Sequence, residues 1–245
     1  MFPPAAASLP LAGKCPAAPG DPIGSAKNRG EEGSGVVSVV KTDAYSKTAR
    51  LYDPLIGPLI MPVRREICRL ALGRNLHSIL DICCGTGRQS MMLQNLGFRV
   101  TGLDLSPAML RVAQRKAGKS IPFVRGDAAR LPFADDSFDA AVISFALHEK
   151  EVSLCNGILR EAKRVVRQPV RLIVADFLVP LGLTARAVGR WVRLVERGAG
   201  KEHYASFLAF MKRGGLTAVL LQQDLRVLRE ERLFFDNVAV VLAGH

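Results

Sequence analysis

The chain has no apolar run approaching the roughly 18 residues that a membrane-spanning helix needs. Its best candidate stretch is interrupted by Asp176, so no integral segment is expected. It has no CxxC pair and no Cys/His cluster at zinc spacing. The cysteines (Cys15, Cys68, Cys83, Cys84, Cys155) are odd in number and unpatterned, and His77, His148, His203 and His245 are far apart in sequence. Neither a disulfide framework nor a metal site is expected, and a reduced, cytoplasmic protein is the simplest account. The formal net charge is +12, yet the basic residues occur singly or in pairs such as Arg64-Arg65 and Lys163-Arg164. No tract of about five like charges marks a nucleic-acid arm. A scattered solvated surface is the plainer reading. A nucleic-acid partner, an anionic substrate and peripheral contact with an anionic membrane stay open. The stretch Leu11-Ala12-Gly13-Lys14-Cys15 faintly resembles a lipoprotein cleavage site. Lys14 spoils that pattern, Pro3, Pro4 and Pro10 break the apolar run, and no basic residue precedes it, so no signal peptide is expected.

What is present is enough for a well-buried core: 245 residues, of which 49% are hydrophobic and 23% charged. Residues 1–40 are rich in Ala, Pro and Gly without apolar periodicity, and are expected to be a disordered tail. The charges of that tail cancel, which assigns the excess to residues 41–245, read as one domain without internal repeats. Helices are expected over 43–53 and 61–73, separated by Pro54, Pro58 and Pro62. Strands are expected at 77–82, 99–104, 122–125, 138–144 and 171–176, alternating with helices at 87–96, 107–117 and 151–166. Helices near 184–197, 201–213 and 215–221 precede strands at 225–229 and 238–243. The alternation predicts an α/β fold: a doubly wound, mostly parallel sheet with helices on both faces.

In such sheets ligands bind beyond the carboxyl ends of the strands. Asp81, Asp104 and Asp127, with Ser144 and Phe145, fall at or near those ends. Gly85 and Gly87 permit a tight turn and a close backbone approach at the start of a helix. Asp104 stands about 20 residues after the glycines, where a dinucleotide fold places its ribose-binding acid. Gly85-Thr86-Gly87-Arg88-Gln89-Ser90 imitates GxGxxG, with Ser in place of the third small residue, so a nicotinamide dinucleotide is a candidate at this point. Three acids at three strand ends suit a different ligand better. Asp81 would face an ammonium and Asp127 the exocyclic amine of an adenine. Ammonium, sulfonium, ribose and adenine together describe S-adenosyl-L-methionine.

The motifs ILDICCGTG (79–87), VTGLDLSPAML (100–110), FVRGDAARLPF (123–133) and DDSFD (135–139) resemble those of class I S-adenosylmethionine-dependent methyltransferases. Within that superfamily they are most similar to the ubiquinone/menaquinone-biosynthesis C-methyltransferases. The similarity is dense over about 45–175 and thin beyond. It implies a Rossmann-like seven-stranded sheet whose last strand is antiparallel. It also implies N-terminal lid helices over 41–73 and substrate-covering helices over 177–223. By the same resemblance Asp81 would serve the methionine amino group, and the backbone from Cys83 through Gly85, Thr86 and Gly87 would wrap the methionine and ribose. Asp104, with Leu105 beside it, would hold the ribose hydroxyls. Met109 would pack near the adenine, Asp127 and Ala128 would bind it, and Phe145 would lie near the sulfonium. Tyr45 and Tyr52 would belong to the lid.

Two departures stand out. Cys83 replaces the Gly or other small residue usual in the family. The segment Ser144-Phe145-Ala146-Leu147-His148-Glu149 differs from that of the quinone enzymes and also lacks the Asn/Asp-Pro-Pro-aromatic motif of amino-methylating DNA enzymes. His148 is the candidate general base, ahead of Glu149, His203 and Tyr204. Trp191, Phe207, Phe210 and Met211 are candidates for an apolar cover, each set against a plain core role. The expected function is methyl transfer to a small apolar or aromatic acceptor. An RNA or protein methyltransferase, or an idle cofactor-binding Rossmann protein, is the alternative, and the oligomeric state is not legible.

Overall fold

A computed structural model describes residues 49–244. The tail expected over 1–40, and Tyr45 with it, lie outside the described residues. Seven strands form one sheet: β1 (Ser78–Ile82), β2 (Arg99–Asp104), β3 (Phe123–Arg125), β4 (Ala140–Ser144), β5 (Leu172–Phe177), β6 (Arg226–Leu233) and β7 (Val238–Gly244). Their order is β3-β2-β1-β4-β5-β7-β6. The first five run parallel, and β7 lies antiparallel between β5 and β6, with Val174 opposite Val241. This is the expected doubly wound sheet with a reversed last strand. β1, β5 and β7 are buried at every position, as their unbroken apolar runs require of strands covered on both faces. From β1 the chain winds outward through β2 and β3, and from β4 it winds the other way. The switch point therefore lies between β1 and β4, where a ligand crevice opens in folds of this kind.

The helices follow their sequence signals closely. α2 (Arg88–Asn95) starts after Gly87, and α3 (Pro107–Ala117) is capped by Ser106, whose hydroxyl accepts from the Met109 amide at 3.1 Å, with Pro107 in the first turn. α4 (Val152–Val165) buries Cys155, Ile158, Leu159, Ala162 and Val165 along one stripe. Three further helices, α5 (Leu183–Gly198), α6 (Lys201–Lys212) and α7 (Gly215–Leu221), fill the connection from β5 to β6, where covering helices were expected.

The N-terminal region departs from expectation. Instead of two helices separated by prolines, one helix, α1, runs over Ala49–Ala71 with Pro54, Pro58 and Pro62 inside it. Proline removes one hydrogen bond to the carbonyl four residues earlier. Prolines spaced by four place all the missing bonds along one stripe, and all three residues are exposed there. The other faces keep their bonds, and Val63, Ile67 and Leu70 anchor the helix in the core. β6 also extends four residues past its expected end at Arg229. Its charged segment Arg229-Glu230-Glu231-Arg232 suits a sheet edge, where side chains meet water.

Candidate active site

The loop after β1 is built on unusual backbone. Cys83, Gly85 and Gly87 have φ values of 58°, 55° and 71°, so the chain turns sharply away from the strand. Gly87 is required twice: a side chain there would meet the Phe123 ring at 2.7 Å and Ala113 at 2.9 Å. Gly85 differs, since a Cβ there would project into open space. The loop is thus packed on its inner side and open at Gly85, as a backbone surface meant to receive a ligand would be.

Asp104 ties this loop to the end of β2. One carboxylate oxygen accepts from the Gly85 amide at 2.8 Å, the other from the Ser106 amide at 2.8 Å. Each oxygen retains acceptor capacity, so a diol presented at Gly85 would find two acceptors side by side. Burial raises the Asp104 carboxyl above its ordinary range, partly offset by those amides. Asp81 lies deeper, only 2% exposed, and accepts a 2.5 Å hydrogen bond from Ser90 Oγ. Burial pushes its carboxyl up to about 7, with Ser90 opposing the shift. A cation delivered there would restore the ionised form. Burial likewise pushes both the Cys83 and Cys84 thiols up, so these cysteines shape the loop and are poor nucleophiles.

The remaining expected cofactor residues divide. Met109 is buried with Ala49, Ala108 and Val112 in a small cluster between α1 and α3. Leu105 is 63% exposed at the mouth of the loop. Asp127 is exposed and braces its own turn by accepting from the Ala129 amide at 2.9 Å, while Ala128 is buried. Tyr52 lies on α1, which places its backbone in the helix over this end of the sheet. Thr86, expected among the wrapping residues, is buried and donates to Asp53 Oδ1 at 2.8 Å. Asp53 also pairs with Lys116 of α3 and lies 3.9 Å from Arg64. It was not singled out from sequence, because an Asp-Pro step at the edge of a proline-rich stretch reads as a turn.

Across the crevice, Phe145 directly follows β4 with φ 51°, a second strained residue at a strand end. His148 follows it and is 4% exposed. Its Nδ1 lies 2.8 Å from Asp176 Oδ1. Asp176 also accepts from the amides of Leu147 at 3.0 Å, His148 at 3.3 Å and Phe177 at 2.8 Å. A carboxylate so engaged acts as an acceptor, which puts the hydrogen on His148 Nδ1 and leaves Nε2 facing Glu196 at 3.7 Å. Burial lowers the basicity of His148, but the carboxylates of Asp176, Glu196 and Glu149 together outweigh it and the net shift is upward. His203 is raised to about 9 by hydrogen bonds to Glu149 and Glu196. The rings of Phe145, Phe177, Phe207 and Phe210 surround His148 at centroid distances of 6.4, 4.9, 6.2 and 6.5 Å. Of the expected cover residues, Phe207 and Phe210 are therefore core walls beside the histidine. Trp191, 60% exposed, points away from the interior. Asp176 and Glu196 were missed as site residues, although an acid at the end of the apolar run Leu172-Ile173-Val174-Ala175 was a visible signal.

Known proteins resemble this chain in sequence and in fold. Residues 79–169 match the family described as a methyltransferase domain. A demethylmenaquinone methyltransferase of Beutenbergia cavernae is 44% identical over 140 residues, covering 56% of this chain and 57% of that protein. Its namesake from Thermus thermophilus is 38% identical over 146 residues, covering 56% and 65%. The chain thus spans little more than half the length of the first of these relatives. A Pyrococcus horikoshii protein superposes with a TM-score of 0.55 at 22% identity, over 85% of this chain and 96% of that one. An S-adenosylmethionine-dependent methyltransferase from Aquifex aeolicus gives 0.52 at 20% identity, over 83% and 98%. At those identities the likeness establishes the fold.

Proposed function

We propose that the chain, whose residues 79–169 match a family described as a methyltransferase domain, is a class I, S-adenosylmethionine-dependent methyltransferase that methylates a small aromatic acceptor resembling a quinol. The observation that carries this reading is the pairing of two half-sites across the switch point. One is the open loop at Gly85 with its acids Asp81 and Asp104. The other is the aromatic-walled His148–Asp176 pair. The relatives named demethylmenaquinone methyltransferase support an acceptor of quinol type.

When bound, S-adenosylmethionine supplies a methyl group already activated on a sulfonium. In this proposal Asp81 and the Cys83–Gly87 backbone hold its methionine end, and Asp104 with Leu105 its ribose. Met109, Asp127 and Ala128 serve its adenine. Tyr45, outside the described residues, and Tyr52 would belong to a lid over it, and Phe145 would lie near its sulfonium. The protein's main contribution is alignment in a dry cleft, which is worth roughly 7–11 kcal/mol in favourable cases. The cluster of His148, Glu196 and His203 receives the acceptor's hydroxyl, which sheds its proton there. That proton would pass from the cluster to solvent, while the bound cofactor would supply its methyl group to the acceptor and depart as the neutral thioether. The acceptor reaches the cleft from an anionic membrane surface, since α5 exposes Leu183, Trp191 and Leu194 beside Arg186, Arg190, Arg193 and Arg197.

Calorimetry tests the cofactor half: S-adenosylhomocysteine should bind, NAD should not, and Asp104→Ala should abolish binding. The acceptor half is tested by release of S-adenosylhomocysteine from the full chain given a short-chain demethylmenaquinol. Turnover on RNA instead, with steep salt dependence, would overturn the small-acceptor reading.

A further inference from the structure

Two of the chain's four histidines, His148 and His203, meet one carboxylate. His148 follows β4, Glu196 lies in the last turns of α5, and His203 is in the first turn of α6. His148 Nε2 is 3.7 Å and His203 Nε2 is 2.5 Å from Glu196 Oε2. One ligand atom from each of the three residues lies within 4.8 Å of the other two. Each ring is also backed by a second acid. Asp176 Oδ1 lies 2.8 Å from His148 Nδ1, and Glu149 Oε2 lies 3.4 Å from His203 Nδ1.

A single His–Glu hydrogen bond would account for one of these contacts. It does not account for two imidazoles, each braced through Nδ1 by its own carboxylate, turning their Nε2 atoms toward a shared third. That arrangement is how proteins orient histidines that ligate a metal, with the outer acids setting tautomer and ring direction. Ligands about 2.0–2.2 Å from one ion stand about 3 Å or a little more apart. The His148–Glu196 spacing already fits. The closer His203–Glu196 pair joins two partly buried side chains on neighbouring helices, which need only part slightly. The charge also suits a dication, because three carboxylates, Asp176, Glu196 and Glu149, crowd the two histidines, with Lys150 paired to Glu149. Two imidazoles and one carboxylate form a nitrogen-rich set for a first-row divalent metal, zinc foremost, and leave at least one coordination position open.

The structure assigns to His148, Glu196 and His203 a divalent transition-metal site whose open position binds an oxygen of the acceptor. The inference rests on reading this cluster as the acceptor end of the cleft. On coordination the acceptor's O–H bond breaks, its proton goes to solvent, and the metal holds the oxyanion for attack on the methyl group. No oxidation state changes.

The tag-free full chain, stripped with chelator, is titrated with Co2+ and with Zn2+ while S-adenosylhomocysteine binding is measured in parallel. One Co2+ per chain with visible d–d absorption, displaced by Zn2+, is the expected result. His203→Ala, on a partly exposed helix position, should lose the site and its absorption while S-adenosylhomocysteine affinity is retained. Glu149→Gln should weaken metal binding by about 10–100-fold, as loss of an outer carboxylate does. Absence of binding at micromolar metal, or an unchanged site in His203→Ala, overturns the assignment. So does full methyl transfer by the stripped chain. None of these results touches the methyltransferase reading, which fails separately if the folded, metal-loaded chain binds no S-adenosylhomocysteine.

Discussion

Asp81 carries an inverted charge preference. Its carboxyl is pushed up to about 7 by burial, from an ordinary value of 3.8. The folded chain therefore holds this proton more tightly than the unfolded chain does. The resulting contribution to stability is fully present below about 4, declines as pH rises, and is gone above about 7. Binding an ammonium would require the ionised form and would expel the proton. S-adenosylhomocysteine affinity should thus fall between pH 8 and pH 6, with proton release on binding at the lower pH. Calorimetry in buffers of different ionisation heat reads both effects, and pH-independent affinity without proton release would sink the assignment. Asp81→Asn should flatten the pH profile. Cys83 provides a second test at this scale. A left-handed backbone costs a non-glycine residue about 1–2 kcal/mol, and a β-branched residue fits it worst. Cys83→Val should lower stability by at least about 1 kcal/mol in chemical denaturation, whereas Cys83→Gly should come close to the parent. The acids Asp81 and Asp104 were legible from their places after apolar runs. The strain at Cys83 and Phe145 was not, since neither residue type favours positive φ.

Elements were legible wherever hydrophobic period and punctuation agreed. β2, α3 and α7 have the bounds their sequence signals imply, and most others differ by a residue or two. α1 was misread because proline was weighed as a local breaker, while the four-residue spacing of Pro54, Pro58 and Pro62 is a property of the whole helix. What that helix does was equally hidden. Through Asp53 it meets Thr86 in the β1 loop and Lys116 on α3, joining three elements separated widely in sequence. A hydrogen bond to a charged group is worth about 1.5–3 kcal/mol. Asp53→Ala should lower stability by about that amount and weaken S-adenosylhomocysteine binding, because Thr86 and the loop lose their tether. Unchanged affinity in a folded Asp53→Ala chain would show that α1 does not position the loop. The histidine–carboxylate cluster was hidden for the same reason: His148, Asp176, Glu196 and His203 come together only when β4, β5, α5 and α6 pack.

At the scale of the molecule, part of the net charge of +12 gathers on one helix. α5 carries four arginines along a row next to an apolar row of Leu183, Trp191 and Leu194, both exposed. No helix of the described residues is long and apolar enough to cross a membrane, so any lipid contact through the helices is at the surface. The chain should co-sediment with vesicles containing phosphatidylglycerol and not with neutral phosphatidylcholine vesicles, and salt should weaken the binding. Trp191→Ala and a paired Arg190→Glu, Arg193→Glu change should each reduce it. Equal binding to both vesicle types would remove the electrostatic part of the proposal. Composition alone offered the charge without an address, because helical rows emerge only when the helix's buried side is known.

β7 occupies an interior place in the sheet although it is the last of the described strands to be made. Until residues 238–244 leave the ribosome, β5 and β6 have no common neighbour, and both present open edges. The two half-sites of the proposed function would therefore mature at different times. The loop around Gly85 and its acids can form from the first strands, whereas α5 and α6 are fixed only when the final strand closes the gap between β5 and β6. A ribosome stalled before Val238 would hold a chain with the Gly85 loop nascent, the His148 cluster unassembled and two unpaired strands available to other chains.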